Sequence, residues 1–567
     1  MTGLELVLIL LAVAGVLRML ADQLQLPHAA LLVVGGLLLA LVPGLPRVQV
    51  SPDTLFLVFV PPLLYSGARR FPLRDFRREL GPIVRLSVLT VAVSTLAVAV
   101  VAHALDPAFT WAAALTLGAI VSPTDPVAVL SVLRSLRIPQ SIETILSGEG
   151  MFNDATSLII YRIAVGVAVT GAFSAAHASM QFLIGGAGGI AIGVVLAVIV
   201  LRVHRWVASV PVVENTLSLL TPFAAYLLAN AVGASGVLAV AASGMYVGRE
   251  AVRFIAPETR LQNDGMWTVI TFLLESLVFI LVGLELPFVT RALAHYSLAT
   301  FIREAGLVSL CVIVVRPVWT IPSAYAARAF GRWLRHGHEP LPPWRLVAFV
   351  GWAGVRGADS LVIALAVPLV TASGAPFPAR DQIIFITFGV IFATLVLQGP
   401  TLAPLLRALA LGADERGHDE EAHARLVATE AGLAALADPA VADSPYPEIV
   451  RYLEQRYRQR ARRWAARESL QLEGRPHAFV ETHAVAAPSH DAGVLDEQRI
   501  VEYRRLRAKS IDAEHRAVIA LRDGNIIGDD VMRRIQRDLD LEAMLLGTRE
   551  PVIDPPNEVP ASLDVGG

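Results

Sequence analysis

Apolar runs about 20 residues long recur through the first 410 residues, and no other feature restricts the fold so severely. A bilayer core of about 30 Å takes about 20 residues of helix. A chain inside it must satisfy its backbone hydrogen bonds internally, which favours helices. On that ruler thirteen spans are expected, near residues 3–20, 29–42, 54–67, 83–104, 110–132, 142–170, 180–201, 212–230, 234–248, 266–287, 303–327, 346–371 and 382–407. The second, third and ninth are short. The first has no basic flank before it and no small-residue cleavage site after it, so it reads as a span and not as a removed signal.

Charge follows the same division. Residues 1–410 hold 20 Asp/Glu and 26 Lys/Arg, whereas residues 411–567 hold 29 and 21. A net charge of −2 therefore conceals an apolar, slightly basic transmembrane domain (1–410) and an acidic tail (411–567). Cys311 is the sole cysteine, which excludes disulfide frameworks, Cys-rich zinc sites and iron–sulfur clusters. Lys509, the sole lysine, follows Ala508, so a Gly-Lys phosphate loop and ATP-driven pumping by that route are excluded. The common zinc-protease and serine-hydrolase signatures are absent as well, so an enzyme is not expected. Nothing in the sequence calls for a cofactor or a nucleic-acid partner.

Loop charges orient the spans. Sixteen arginines follow odd-numbered spans, among them Arg69, Arg70, Arg134, Arg202, Arg249 and Arg328, against Arg47, Arg291 and Arg380 after even-numbered ones. The positive-inside rule then places the N-terminus outside and the tail in the cytoplasm.

Ionisable residues within spans are costly and mark function. In the fifth span, Ser122-Pro-Thr-Asp-Pro126 sets two prolines around Thr124 and Asp125. Proline removes backbone donors and disfavours helix before it, so the span should break there. In the sixth span Glu149 and Asn153 are four apart and share a face, with Asp154 about 100° around. Burial disfavours the charged form of Asp154, which gives a carboxylate able to exchange a proton for a small cation. In the twelfth span Gly351, Gly354 and Gly357 surround Arg356, suggesting a second unwound stretch. Arg356 stays charged and needs a partner; Glu149 is the first candidate and Asp359 a competing one. Glu275 and Glu285 fall roughly on one face of the tenth span, either lining a funnel or pairing with Arg316. Two broken helices seven spans apart, running in opposite directions, point to the substrate site of a secondary transporter with inverted repeats.

Together these pieces resemble the sodium/proton exchanger branch of the monovalent cation:proton antiporters. The matching segments are Pro61-Pro-Leu-Leu-Tyr65, Ser122-Pro-Thr-Asp-Pro-Val-Ala-Val129, Gly148-Glu-Gly-Met-Phe-Asn-Asp154, Leu274 to Glu285, and Gly354-Val-Arg-Gly-Ala358. The resemblance implies an all-α membrane protein, a homodimer of thirteen-helix protomers with two crossing broken helices. It makes Asp154 the shared cation- and proton-binding carboxylate and Thr124 an oxygen ligand of the transported ion. Asp125 would offset facing helix N-termini, and Glu149 with Arg356 would form a buried brace. Asn153 beside Asp154 resembles electroneutral members, whose electrogenic relatives carry a second aspartate. Relatives often have Ser where this chain has Gly150, and an acid where it has Ser66; waters or Ser157 would then complete the ion's shell.

In the tail, residues 411–445 could extend the last span as a surface helix. Residues 446–470 form a basic run, facing either solvent or anionic lipid. Residues 474–492 read as linker, 493–545 have helical periodicity, and Pro551 to Gly567 should be disordered. The resulting expectation is a plasma-membrane antiporter exchanging protons for Na⁺, with K⁺ or Li⁺ as alternatives. A cation channel would need a filter-like repeat, which is absent. A receptor signalling through the tail has no kinase or nucleotide motif behind it.

Overall fold

The computed structural model describes residues 3–24, 28–42, 52–133, 138–207, 210–292, 298–335, 342–357, 359–412, 416–442, 444–472 and 497–547. Among these residues the chain is helical, with a lone bridge between Val370 and Pro376 and no strand. Two compact units divide it. One holds Met1–Val200, Ser218–Arg249 and Met266–Asp414; the other holds Leu201–Leu217, Glu250–Gly265 and Glu415–Gly567.

The first unit begins with α1 (Gly3–Leu24), α2 (His28–Ala40), α3 (Pro52–Arg69) and α4 (Leu73–Val84). A π-helical turn at Arg85–Thr90 joins α4 to α5 (Val91–Leu105). Next come α6 (Trp111–Val121), α7 (Pro126–Leu133), α8 (Gln140–Thr170), α9 (Ala175–Val207), α10 (Pro211–Ala231), α11 (Gly236–Glu250), α12 (Pro257–Ala292) and α13 (Leu298–Arg335); the parts of α9 to α12 within 201–217 and 250–265 fall in the second unit. It closes with α14 (Trp344–Trp352), α15 (Asp359–Leu365), α16 (Arg380–Ala393) and α17 (Leu402–Ala408). Helices occupy most of the expected apolar runs, with breaks inside the runs at 110–132 and 346–371. Among the described residues eight helical stretches are long and apolar enough to cross a bilayer, and α1 to α3 contribute shorter apolar helices. The run expected at 346–371 is not one span: it is α14, a break, and the seven-residue α15.

Burial ranks the helices. α6 is sheathed on all sides, with Leu117, Ala119, Ile120 and Val121 wholly buried, so its near-continuous apolarity is that of a central helix. It packs on α5, α8, α15 and α16, while α15 also packs on α3. Small residues let backbones approach where no hydrophobic drive separates helix from lipid. Gly36 of α2 and Gly283 of α12 meet backbone to backbone in this way, as does Gly193 of α9 with Ala239 of α11.

The second unit contains α18 (Arg416–Leu436), α19 (Pro439–Ala442), α20 (Pro447–Leu472), α21 (Glu497–Asp523) and α22 (Asp529–Leu545). α18 does not lie alone as a surface helix, because α20, α21 and α22 all pack against it. Ala424 and Ala428 sit in a core with Ile511, Val518, Val531, Ile535 and Leu539. The basic run forms α20, which buries Leu453 and Tyr457 on one face and leaves most of its arginines exposed. Within this unit Arg260 at the start of α12 pairs with Asp540, and Arg253 donates to Asp523 at 2.8 Å. The expected linker at 474–492 and the end from Pro551 to Gly567 lie outside the described residues.

Candidate functional site

Both expected breaks are present. α6 stops at Val121, the backbone leaves the helix through Ser122 to Asp125, and α7 restarts at Pro126, where a missing N–H costs nothing. α14 stops at Trp352 and α15 restarts at Asp359. The two gaps cross: the Asp125 N–H donates to the Val355 carbonyl at 2.8 Å. Gly357 is required by that crossing, since a Cβ there would lie 2.5–2.8 Å from Oδ2, Cβ and Cγ of Asp125. Gly354 is required by the Arg316 side chain, which occupies the space a Cβ would need.

Breaking two helices leaves orphan groups at four ends. Asp125 serves the donors of α7, its Oδ1 accepting from Val127 N at 2.8 Å and Ala128 N at 3.3 Å. Arg356, 1% exposed, serves the acceptors. Its Nε donates to the Val121 carbonyl at 3.0 Å and its Nη1 to the Gly354 carbonyl. Its own N–H goes to Thr394 Oγ1 at 3.1 Å.

This corrects the expected brace. Glu149 is bound by Arg316 of α13 in two-pronged fashion, through Nη1 to Oε1 and through Nη2 to Oε2 at 2.7 Å. Arg316 also reaches the Val350 carbonyl at 3.2 Å, tying α8, α13 and α14 together. A planar guanidinium fork suits a carboxylate, while the five donors of Arg356 suit scattered carbonyls, so the two arginines divide the work. Arg316 is thus taken by Glu149 and not by Glu275, one of its two expected partners. Glu275 instead lies 3.9 Å from His28 Nε2, and the side chain of Glu285 is outside the described residues.

Thr124 is held from both sides. Its hydroxyl donates to Glu149 Oε1 at 3.0 Å, and Asn153 Nδ2 donates to its carbonyl at 2.9 Å and its hydroxyl at 3.0 Å. Asn153 is fully buried, and its Oδ1 accepts no hydrogen bond among the described residues. Ser157, also fully buried, donates to the Ala119 carbonyl at 2.6 Å, so its proton fastens α8 to α6. Gly150 could not be serine here, because a Cβ would run into the Pro126 ring. Ser66 is buried on α3.

Asp154 is half-buried beside these fixed groups, and so are Asp125 and Asp359. The charged groups that act on Asp154 are Asp359 and Asp125; those acting on Asp125 are Asp359 and Glu275. Sequence reasoning therefore located Thr124, Asp125, Glu149, Asn153 and Asp154 in one place. It missed Arg316 as the partner of Glu149 and Asp359 as a member of the acidic group. The signal for Asp359 was its place two residues past Gly357, where a helix restarts.

Crossed helix breaks around a half-buried carboxylate, in a bundle of apolar helices, define a secondary active membrane transporter. The family comparison is more particular. The sodium/hydrogen exchanger transmembrane family matches residues 7–408, and the chain belongs to that family, a class of cation/proton exchangers. An uncharacterized Na(+)/H(+) exchanger of Mycobacterium tuberculosis is 33% identical over 563 residues, covering 96% of each chain. A sodium, potassium, lithium and rubidium/H(+) antiporter of Bacillus pumilus is 34% identical over 385 residues, 65% of this chain and 56% of its own. The solved sodium proton antiporter of Methanocaldococcus jannaschii shares the fold at 19% identity, with a TM-score of 0.52 over 72% of this chain and 98% of that one.

Proposed function

We propose that this exchanger trades one Na⁺ for one proton at Asp154, with K⁺ and Li⁺ as further substrates, in a plasma membrane and as a homodimer with its tail in the cytoplasm. One observation carries the reading. Asp154 is a half-buried carboxylate that accepts no hydrogen bond among the described residues and follows directly on Asn153, which holds Thr124 at the helix break. Such a group takes up either a proton or a cation. Around it Thr124, Asn153 and Glu149 are locked by hydrogen bonds, so the site is rigid apart from the carboxylate.

Coupling follows from competition. A proton or a cation neutralises Asp154, and only the neutralised core crosses the barrier. An empty, charged carboxylate would meet a low-dielectric gate at a cost of several kcal/mol. The printed substrates of the Bacillus pumilus relative support a monovalent cation as cargo. Breadth among Na⁺, K⁺ and Li⁺ fits a site in which Gly150 supplies no hydroxyl and Ser66 no carboxylate.

The test is purified protein in proteoliposomes under an imposed pH gradient. Saturable ²²Na⁺ uptake that needs an opposing proton gradient, and that unlabelled Li⁺ or K⁺ competes, supports exchange. Cation flux that neither saturates nor moves protons would overturn it.

A further inference from the structure

Arg162 has no part in the exchange reading, and its setting calls for a partner that the surrounding helices do not supply. It lies on α8 eight residues past Asp154, about 12 Å along the axis. It is the sole Asp, Glu, Lys or Arg between Asp154 and Arg202, and none lies between Glu214 and Arg249. Those two stretches include the rest of α8 and most of α9, α10 and α11. A charge within apolar spans is costly and takes a counter-group where one exists. Among the described residues Arg162 makes one hydrogen bond, from Nη2 to Asn230 Oδ1 at 3.2 Å, and no ion pair. An amide oxygen is neutral and leaves the other guanidinium donors and the charge unanswered. The side chain is exposed.

A cavity of about 450 Å³, partly open to the surface, lies beside it. Leu158, Ile159 and Arg162 of α8, Gly185 of α9, Tyr226 of α10 and Val237 of α11 line it. Its far wall is backbone held in place: Gly233 turns the chain from α10 into α11 at φ 77°, and the Ser235 N–H donates to the Gly185 carbonyl at 2.9 Å. Ile184, Leu227 and Val232, each next to a lining residue, are exposed and apolar, as lipid-facing residues are. The cavity therefore joins one cationic fork to apolar walls on an apolar surface. Arg162 stands eight residues before the helix end at Thr170, and a long side chain near a helix end reaches toward the headgroup level.

We propose that this cavity binds an anionic phospholipid, with the phosphodiester on Arg162 and an acyl chain along the apolar walls. The guanidinium fork matches phosphate oxygens, and a basic pocket between membrane helices suits a lipid headgroup. No acidic side chain lines the cavity to receive an ammonium group, which favours a net-negative headgroup over a zwitterionic one. The site is separate from the helix crossing and does not depend on the role of Asp154.

The experiment titrates full-length protein in detergent with phosphatidylglycerol or with phosphatidylcholine of the same acyl chains, reading the tightest-bound copy by native mass spectrometry. Wild type should prefer phosphatidylglycerol. Arg162→Gln should weaken that affinity about 10-fold or more, as loss of hydrogen bonds to a charged group does, and leave phosphatidylcholine unchanged. Arg162→Lys should recover part of the preference. Gly185→Leu should weaken phosphatidylglycerol binding with Arg162 in place, because its Cβ meets only Ile159, at 3.8–3.9 Å, and the rest of the side chain fills the cavity. Equal phosphatidylglycerol affinity in wild type and Arg162→Gln would overturn the proposal, as would equal affinity of wild type for the two lipids. Glycerol 3-phosphate that raises the melting temperature as far as phosphatidylglycerol does would assign the site to a free phosphate ester instead. Dissociation of a dimer in Arg162→Gln, whatever the lipid, would assign Arg162 to a second copy of the chain. If Arg162→Gln does not fold, Gly185→Leu decides: lost preference supports the site, and retained preference overturns it.

Discussion

Replacing Arg316 with alanine isolates the buried brace. Glu149 and Arg316 have side chains only 2% exposed, and two guanidinium nitrogens satisfy both carboxylate oxygens. After the substitution Glu149 keeps one donor, the Thr124 hydroxyl at 3.0 Å, and loses its paired guanidinium, with Arg356 left as a charge that makes no ion pair with it. Removing one partner of a buried ion pair costs about 3–5 kcal/mol, because a charge is stranded where water cannot reach it. Replacing both partners with apolar groups is often neutral or better. Arg316→Ala should therefore be less stable than wild type by about 3–5 kcal/mol, and Glu149→Leu/Arg316→Met should recover most of that loss. The assay is reversible unfolding in mixed detergent micelles, read as a double-mutant cycle. A single variant within about 1 kcal/mol of wild type would refute the brace, as would a double variant no better than the worse single one.

Gly357→Ala should sever the crossing, since the new methyl group falls 2.5–2.8 Å from the Asp125 carboxylate. Overpacking of this kind costs about 1–3 kcal/mol, and a lowered melting temperature with lost exchange is the expected reading. In the second unit, burial pushes the Asp540 carboxyl up, but hydrogen bonds and charge from Arg260 and His515 outweigh it and hold it below the ordinary carboxylate value. A carboxylate held down by folding stabilises the fold at neutral pH, and that stability is lost as acid drives the pH below about 4 and on through the lowered value. Protection factors for hydrogen exchange in α21 and α22 should fall with acid in wild type, and Asp540→Asn should be weaker at neutral pH with a flatter acid response. Exchange should also ignore voltage: one cation against one proton moves no net charge, so a step to about −100 mV, worth about 2.3 kcal/mol per charge, should leave the rate unchanged. Acceleration at negative potential would show a second proton moving.

The spans and both helix breaks were legible because their causes are local. Twenty apolar residues, two prolines around Thr124-Asp125 and three glycines around Arg356 act within a turn or two of themselves. Glu149, Asn153 and Asp154 were legible for the same reason, as positions on one helix. Pairing across the bundle was not. Glu149 meets Arg316, 167 residues away, and spacing along a chain does not say which of two arginines presents its fork to a carboxylate. Arg356 was assigned a carboxylate because buried charge usually takes one, whereas the breaks themselves supplied carbonyl acceptors. Gly150 looked like a lost ligand until the packing placed the Pro126 ring against it. In the tail, residues 411–445 read as a surface helix because the faces that bury Ala424 and Ala428 arrive from α21 and α22, a hundred residues later.

The central claim is that Asp154 is where proton and cation compete. Substituting Asn keeps the shape and removes both the charge and the titration. In proteoliposomes with an outward proton gradient, Asp154→Asn should take up no ²²Na⁺ above empty vesicles while eluting and melting like the wild-type protein. Proton-driven uptake that survives in Asp154→Asn, at any cation concentration, would contradict the account.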